Sequence, residues 1–473
     1  MNIILQNYND LLKKVIFETF SNNLKEKLEE FNNNNVMNYI SLLSNLDETL
    51  CNIAKESLVT IFETIDKSFS LSCERKRKYY VKSHHKRTIL TVFGEITFER
   101  TFYQSKINNK LYCHLDRLLG LHKYDYFDPY IKALIIDYSS DNSMPKTAKY
   151  INDLIGNRIS IDNKFKYLSR QTIKNIIISS KLSNVLVEEA KTTPSELYII
   201  ADEKWIHTQN NNHKDVMEKS VVVFENIKDH KLINKMSFAS LDKSYLFNTL
   251  DYIFNKYNID DIKTIYLMGD GASWIKSLKS EFKFHKDLNV IYCLDKFHFK
   301  QALHHLCFDS GMENILEDYI LHDMKSEFNQ VIDSLIISYP HRLSTILEKQ
   351  KYILKNWIFI NNLYNYNLSC PMESQISHNI AAFFTSRPKA FSIKMINILT
   401  KLRLLYRNNF NIKKLFLNNF NSQDILTFDD FPLNFNCFDI PHNYFNFNKS
   451  IPVTYFNKIS DYSFNYSLFK ILN

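Results

Sequence analysis

The chain has 473 residues, of which 45% are hydrophobic and 23% charged, enough for about three domains of ordinary size. These proportions exclude disorder, collagen and coiled coil as the main architecture. Lys and Arg number 59 against 51 Asp and Glu, a net charge of +8 whose sign favours a polyanionic partner.

Seven cysteines are an odd number, and none lies two residues from another as a zinc knuckle or redox pair requires. A reducing, cytosolic compartment is the simplest reading. The opening text MNIILQNYNDLLKK lacks a basic segment leading into an apolar stretch and a cleavage site. No window reaches about 18 uninterrupted apolar residues, so the expectation is a protein neither exported nor membrane-spanning. Six Gly and nine Pro beside abundant Asn, Ile, Lys, Tyr and Phe have the texture of an AT-rich coding sequence, and the Asn32–Asn35 run then reports codon bias.

Residues 1–70 read as a helical region of two or three helices, with Leu11, Leu12, Val15, Ile16 and Phe20 at helical spacing before the Asn turn. Residues 71–127 form a basic region. Its run RKRKYYVKSHHKR, Arg75 to Arg87, holds seven Lys or Arg, two His and no acid. It leads into the alternating text TILTVFGEITFERTFYQ, where Gly94-Glu95 reads as a hairpin turn. Arg75, Arg77 and Lys78 with interleaved tyrosines suit phosphate contact and base stacking, and a solvated charged face accounts for the run equally well.

Residues 128–190 return to helical text, SMPKTAKYINDLIG and then LSRQTIKNIIISSKL. Ser169 is a plausible N-cap, and Arg170, Gln171 and Lys174 line the start of the second helix. The pair resembles a helix-turn-helix, although helical hairpins are common.

From 191 to 298 the texture becomes that of strands. LYIIADEKWIHTQ, EKSVVVFEN and NKMSFASL are three runs in succession. A helix (LFNTLDYIFNKY), a strand (IKTIYLMGDGASWI), a helix and a strand (LNVIYCLD) follow. That order is the order of an α/β, RNase H-like core. Residues 299–372 are amphipathic and helical and read as an insertion into it; 373–407 supply closing helices, and 408–473 an Asn- and Phe-rich tail with weak periodicity.

Three carboxylates stand where element ends would project them: Asp202 after YIIA, Asp270 after IYLM-Gly, and Glu373 opening a helix after Cys370-Pro371. Carboxylates at the ends of adjacent strands can share two Mg²⁺ ions, which activate an attacking water or 3′-hydroxyl and stabilise the leaving 3′-oxygen in an in-line displacement at phosphorus. Each acid also has a bland reading, as a strand exit, a turn residue between two glycines, or a first-turn helix acid. Asp295 and His298, one helical turn apart, share a face. They suit a proton-handling or phosphate-facing pair, or an N-capping Asp beside an incidental His.

These blocks resemble a known family. ADEKWIHTQ, GDGASWIK, LDKFHFKQAL and CPMESQISHNIAAFFTSRP are similar to text of the Lre-type bacterial insertion-sequence transposases, which are themselves similar to the Mutator-like DDE enzymes. The resemblance implies that Asp202, Asp270 and Glu373 are a metal-binding catalytic triad taking Mg²⁺ or Mn²⁺. It further implies that Asp295 and His298 form an Asp-x-x-His signature beside the cleaved strand. His378 and Arg387-Pro388 match further family text, with possible DNA contact, while Phe391 stands where a Trp is usual. The implied function is a cytoplasmic, nucleoid-associated transposase. It binds double-stranded DNA at terminal inverted repeats, cuts 3′ ends, joins them to target DNA, and works as a homodimer or higher assembly. A nuclease or resolvase with the same core, and a non-catalytic DNA-binding protein, are the rival expectations.

Overall fold

The structure is a computed structural model that describes residues 39–156, 168–180, 193–209, 215–229, 231–282, 287–366, 382–385 and 391–424, with scattered single positions between and before them. Glu373, His378 and Arg387 lie outside the described residues. The chain is mixed α/β and divides into two compact units, one reaching to Ser183 and including the helix that starts at Ile412, the other spanning Asn184 to Asn411. No described helix is long and apolar enough to cross a membrane.

The first continuously described part of the first unit is a long helix, α1 (Tyr39–Leu71), and a short one, α2 (Cys73–Lys78), that Ser72 caps by accepting from the Arg75 backbone N–H. Four of the seven Lys or Arg of the basic run therefore lie in a helical turn ahead of the hairpin. Strands β1 (Tyr79–Thr91), β2 (Gly94–Ser105) and β3 (Leu111–Cys113) form an antiparallel sheet. Thr91 pairs with Gly94, so the hairpin loop is Val92-Phe93, two residues before the expected turn. Gly94 takes a φ of +113°, a left-handed value that glycine supplies without strain. Ile89, Ile96, Phe98, Leu115 and Leu121 form the buried face, packed on Leu58, Phe62 and Ile65 of α1.

After α3 (His114–Leu118), helices α4 (Pro129–Ser139), α5 (Met144–Gly156) and α6 (Arg170–Ser179) pack on one another. Ser169 caps α6 as expected, its Oγ accepting from the Thr172 N–H at 3.1 Å. Residues 157–167, between α5 and the Ser169 cap of α6, lie outside the described residues, and with them the turn expected of a helix-turn-helix. Within the expected tail, a helix over Ile412–Asp424 packs on α4 and buries Ile412 and Phe416.

The second unit is built on β4 (Glu196–Ile206), β5 (Val216–Phe224), β8 (Met236–Ser240), β9 (Thr264–Gly269) and β10 (Asn289–Leu294), with a small hairpin of β6 (Asn226–Lys228) and β7 (Lys231–Ile233) inserted after β5. The sheet order is β10-β9-β4-β5-β8. β4, β5 and β8 form an antiparallel meander, and β9 and β10 run parallel to β4. The central strands read as continuous apolar runs because both faces are covered. On one face Leu197, Ile199, Ile265 and Leu267 pack against Tyr252 and Ile253 of α7 (Ser244–Lys256) and Ile275 and Leu278 of α8 (Ser273–Glu281). Burying each such side chain contributes about 1.5–3 kcal/mol.

The opposite face carries Ile200, Val222, Met268 and Cys293 under Leu363, with Tyr364 and Leu368 packed beside them. The expected helical insertion comprises α9 (Lys296–Cys307), α10 (Glu313–Leu321), α11 (Lys325–Ser338) and α12 (Leu343–Asn365) around its own apolar centre. After α13 (Ala382–Thr385), α14 (Ile393–Arg407) packs on β8, and the Asn408 amide bonds both the N–H and the C=O of Ser237. Of the expected closing helices over 373–407, residues 382–385 and 393–407 are helical, and 373–381 lie outside the described residues.

Candidate functional site

The paired register of three parallel strands places three acids side by side. The β4–β9 ladder ends at Ala201 opposite Gly269, and the β9–β10 ladder ends at Gly269 opposite Leu294. Asp202, Asp270 and Asp295 are the next residue on each strand. The Asp295 N–H continues the ladder by donating to the Gly269 carbonyl at 2.8 Å. Parallel neighbours lie about 4.8 Å apart, and side chains two residues apart share a face. Asp202 follows Ile200, Asp270 follows Met268 and Asp295 follows Cys293, so all three carry the parity of the face under Leu363.

Each acid is held by local bonds. Asp202 Oδ1 accepts from the Glu203 N–H at 2.8 Å. Asp270 Oδ1 accepts from the Ala272 N–H at 2.8 Å, while its carbonyl accepts from the Tyr352 hydroxyl at 2.7 Å. Asp295 is buried and caps α9, its Oδ2 accepting from the His298 N–H at 3.3 Å, and the His298 ring stands 3.9 Å from the same oxygen. The capping reading of Asp295 holds, and the ring of the His one turn on lies on the same side of the helix start. Burial, and then the charges of Asp270 and Asp295, push the Tyr352 phenol up, so it stays a hydrogen-bond donor between these acids.

The two glycines around Asp270 are required by close approach. A Cβ on Gly269 would meet the Ile275 side chain at 2.7 Å and the Ala201 carbonyl at 3.2 Å. Gly271 has φ +96°, and a Cβ there would touch the Asn356 amide at 3.2 Å. Its N–H donates to the Tyr292 hydroxyl at 2.9 Å. Asn356 in turn accepts from Lys276 Nζ at 3.0 Å. Desolvation, followed by the nearby Lys355, lowers the Lys276 ammonium, and Asp270 raises it. Trp274 Nε1 donates to Glu203 Oε2 at 2.7 Å, tying α8 to the end of β4. Glu203 in the ADEKW block is therefore a structural acid, and Trp274 in GDGASW its anchor; sequence reasoning assigned neither.

Asp270 opens into a cleft of about 170 Å³ lined by His298, Gln301, Ala302, His305, Lys349 and Tyr352. Among the described residues no cluster of three or more His, Cys, Asp or Glu side chains is gathered as a metal site. Asp202 and Asp270 are neighbours by strand register, with Asp295 engaged in capping. Hard oxygen donors of this kind suit Mg²⁺, which keeps several waters and takes one or two carboxylates plus substrate phosphate.

Glu373 lies outside the described residues, but the chain on either side of it is anchored. Leu368 packs on the face shared with Ile200 and Met268. Phe391 bridges to Thr208, its carbonyl accepting from the Gln209 N–H at 3.0 Å, just beyond the end of β4.

The basic positions of the first unit are divided. Arg75 donates from Nε to the Ser70 carbonyl at 2.6 Å, a bond that finishes α1, and Lys78 pairs with Glu74 at 2.8 Å. Arg87 is buried against Asp116, which also pairs with Arg100. Arg77, Lys82 and Lys86 are exposed, as is Tyr80, with Lys106 Nζ 4.6 Å over its ring. A bulge between Val81 and Ser83 leaves Lys82 as the extra residue, a local re-aiming that no composition signal carries. On α6, Arg170 and Gln171 are exposed and Lys174 half-buried.

Residues 32–414 match the sequence model of the family described as Uncharacterised protein family (UPF0236). The chain belongs to the UPF0236 family. Two UPF0236 proteins of Caldanaerobacter subterraneus subsp. tengcongensis are 26% and 25% identical to it over 432 and 427 residues, covering 85% of this chain in each case and 82% and 86% of their own lengths. Another UPF0236 protein of that organism, 23% identical over 425 residues with 85% of this chain and 86% of its own length covered, bears a name joining eleven locus designations. No solved structure matches this UPF0236 chain.

Proposed function

We propose that this UPF0236 chain is a DNA transposase of the DDE type, with an RNase H-like core. The observation that carries the reading is the shared register of Asp202 and Asp270 at the ends of adjacent parallel strands, in a sheet whose order is β10-β9-β4-β5-β8. An antiparallel meander of three strands followed by two crossover strands is the RNase H-like order, and its central acids are where phosphodiester chemistry on this core is done. Glu373 is five residues past the anchored Leu368, a separation of at most about 18 Å by chain length alone. The eleven locus designations in one relative's name fit an element that multiplies within a genome.

Asp202, Asp270 and Glu373 would hold Mg²⁺ or Mn²⁺. When bound, the metal supplies Lewis-acid activation of the attacking oxygen and charge neutralisation at the leaving 3′-oxygen. The chain's own residues orient and bind. The Ala272 N–H fixes the Asp270 carboxylate, and Tyr352 fixes its backbone. Asp295 aims His298, whose ring lines the cleft beside Asp270. Arg77 of α2, Lys82 and Lys86 of β1, and Arg170, Gln171 and Lys174 of α6 supply duplex contacts in the first unit, with Arg387 a further DNA contact. Two element ends must be paired for joining, so the working assembly is at least a homodimer, acting in the cytoplasm at the nucleoid.

The test uses the intact protein with a labelled duplex copied from the DNA flanking its gene, in Mg²⁺. Nicking at the 3′ end and joined products are expected, and both vanish in Asp202→Asn and Asp270→Asn while duplex binding survives. Hydrolysis without joining would assign a nuclease or resolvase, binding without either a non-catalytic DNA protein. Undiminished activity in the Asn variants would refute the site.

A further inference from the structure

Beside His298, the wall of the cleft facing Asp270 is made by residues that none of the acid motifs assigns a role. α9 contributes His298, Gln301 and His305 from one face, spaced at three and four residues. α12 contributes Lys349 and Tyr352, one turn apart. The two helices are fixed to each other through Leu303, Leu306, Ile346 and Ile353 in one buried cluster. The donors thus project from rigid elements.

The chemistry of this wall is uniform. An ammonium, two imidazoles, an amide and a phenol converge, and Ala302 is the one apolar side chain in the lining. Such a surface offers several donors for an oxyanion. Lys349 pairs with Glu348 at 2.8 Å, but the Glu348 side chain is 70% exposed; an exposed pair of this kind is weak and gives way to a phosphate.

We propose that Gln301, His305 and Lys349 form a subsite for a backbone phosphate of the strand being processed, neighbouring the phosphate that reacts at Asp270. The inference rests on the transposase reading and deepens it. It assigns the helical insertion a direct part in holding the substrate strand, and it makes that hold independent of base sequence, since phosphate contacts position without reading bases.

The experiment places a single methylphosphonate, which is uncharged, at successive positions around the cut in the duplex copied from the flanking DNA. For the wild-type protein one position beside the cut loses about tenfold in affinity, the loss of a charge-assisted contact. In Lys349→Ala and His305→Ala that position loses its penalty while all others keep theirs, and Lys349→Arg restores it. Circular dichroism of each variant guards against misfolding, and the arginine variant keeps the test decisive if the alanine variant fails to fold. A profile unchanged in variants that still cut would overturn the subsite alone. A wild-type protein that neither binds nor cuts the duplex would overturn the transposase reading and the subsite with it.

Discussion

Glu218 gives the sharpest test of the packing that surrounds the acids. It lies on β5 opposite Lys204, on the sheet face shared with Asp202, and is 1% exposed. Its Oε1 accepts from the Thr400 hydroxyl of α14 at 2.6 Å, and its Oε2 has no hydrogen-bond partner among the described residues. Burial raises the carboxyl from 4.5 to about 7 against the lowering effect of the Thr400 bond. The folded value is above the unfolded one, so below pH 4.5 both states are protonated and the group has no effect. Between 4.5 and about 7 the unfolded chain ionises first and stability falls. Above about 7 the loss is complete, about 3 kcal/mol at about 1.4 kcal/mol per pH unit.

Glu218→Gln keeps an acceptor for Thr400 and removes the titration. Urea unfolding of both proteins from pH 4.5 to 8 should show the stability of the Gln variant relative to wild type rising by about 3 kcal/mol across that window. Other groups titrate in both proteins and cancel in the difference. A difference constant to within about 0.5 kcal/mol would refute the reasoning that this carboxyl is buried against α14.

Gly271→Ala forces a side chain into a left-handed backbone and against Asn356. It should cost about 1–2 kcal/mol and reduce metal-dependent cleavage by more than the stability loss explains, as read from cleavage rate beside melting temperature. Asp116→Ala strands the buried Arg87 and leaves Arg100 without its partner. A loss of about 3–5 kcal/mol, measured by denaturant unfolding of the N-terminal transition, is expected, and a loss under about 1 kcal/mol would show the pair to be solvated. Replacing Arg77 and Lys82 together by Ala should weaken duplex binding about equally for all sequences and reduce the slope of log affinity against log salt by about 2. An unchanged slope removes the hairpin from the interface.

Much of the second unit was readable in the text because its physics is local and periodic. Apolar runs such as YIIA, VVVF, IYLM and VIYC are what strands buried on both faces require, and their order gave the sheet. The placement of Asp202 and Asp270 at strand ends followed from where those runs stop. Other features depend on contacts far apart in sequence. Trp274 meets Glu203, Thr400 meets Glu218, and Tyr352 reaches Asp270 across 82 residues; no spacing rule anticipates them. The glycines around Asp270 read as a turn, whereas Gly269 is there to admit Ile275. In the first unit, charge density pointed to a basic surface but did not sort Arg75 and Arg87, which serve the fold, from Arg77 and Lys82, which face solvent. Side-chain direction is set by the start of β1 and by its bulge, and a single-sequence reading does not locate either.

The central claim is that Asp202, Asp270 and Glu373 converge on one divalent cation site. Fe²⁺ in place of Mg²⁺, with ascorbate and peroxide, cuts a polypeptide beside the ion that generates the radicals, so the cut positions report which segments surround the site. Fragments ending near residues 202, 270 and 373 in the same digest, all suppressed by excess Mg²⁺ and all lost in Asp270→Asn, are the predicted result. Cutting that spares the 373 segment, or that persists unchanged in Asp270→Asn, would contradict it.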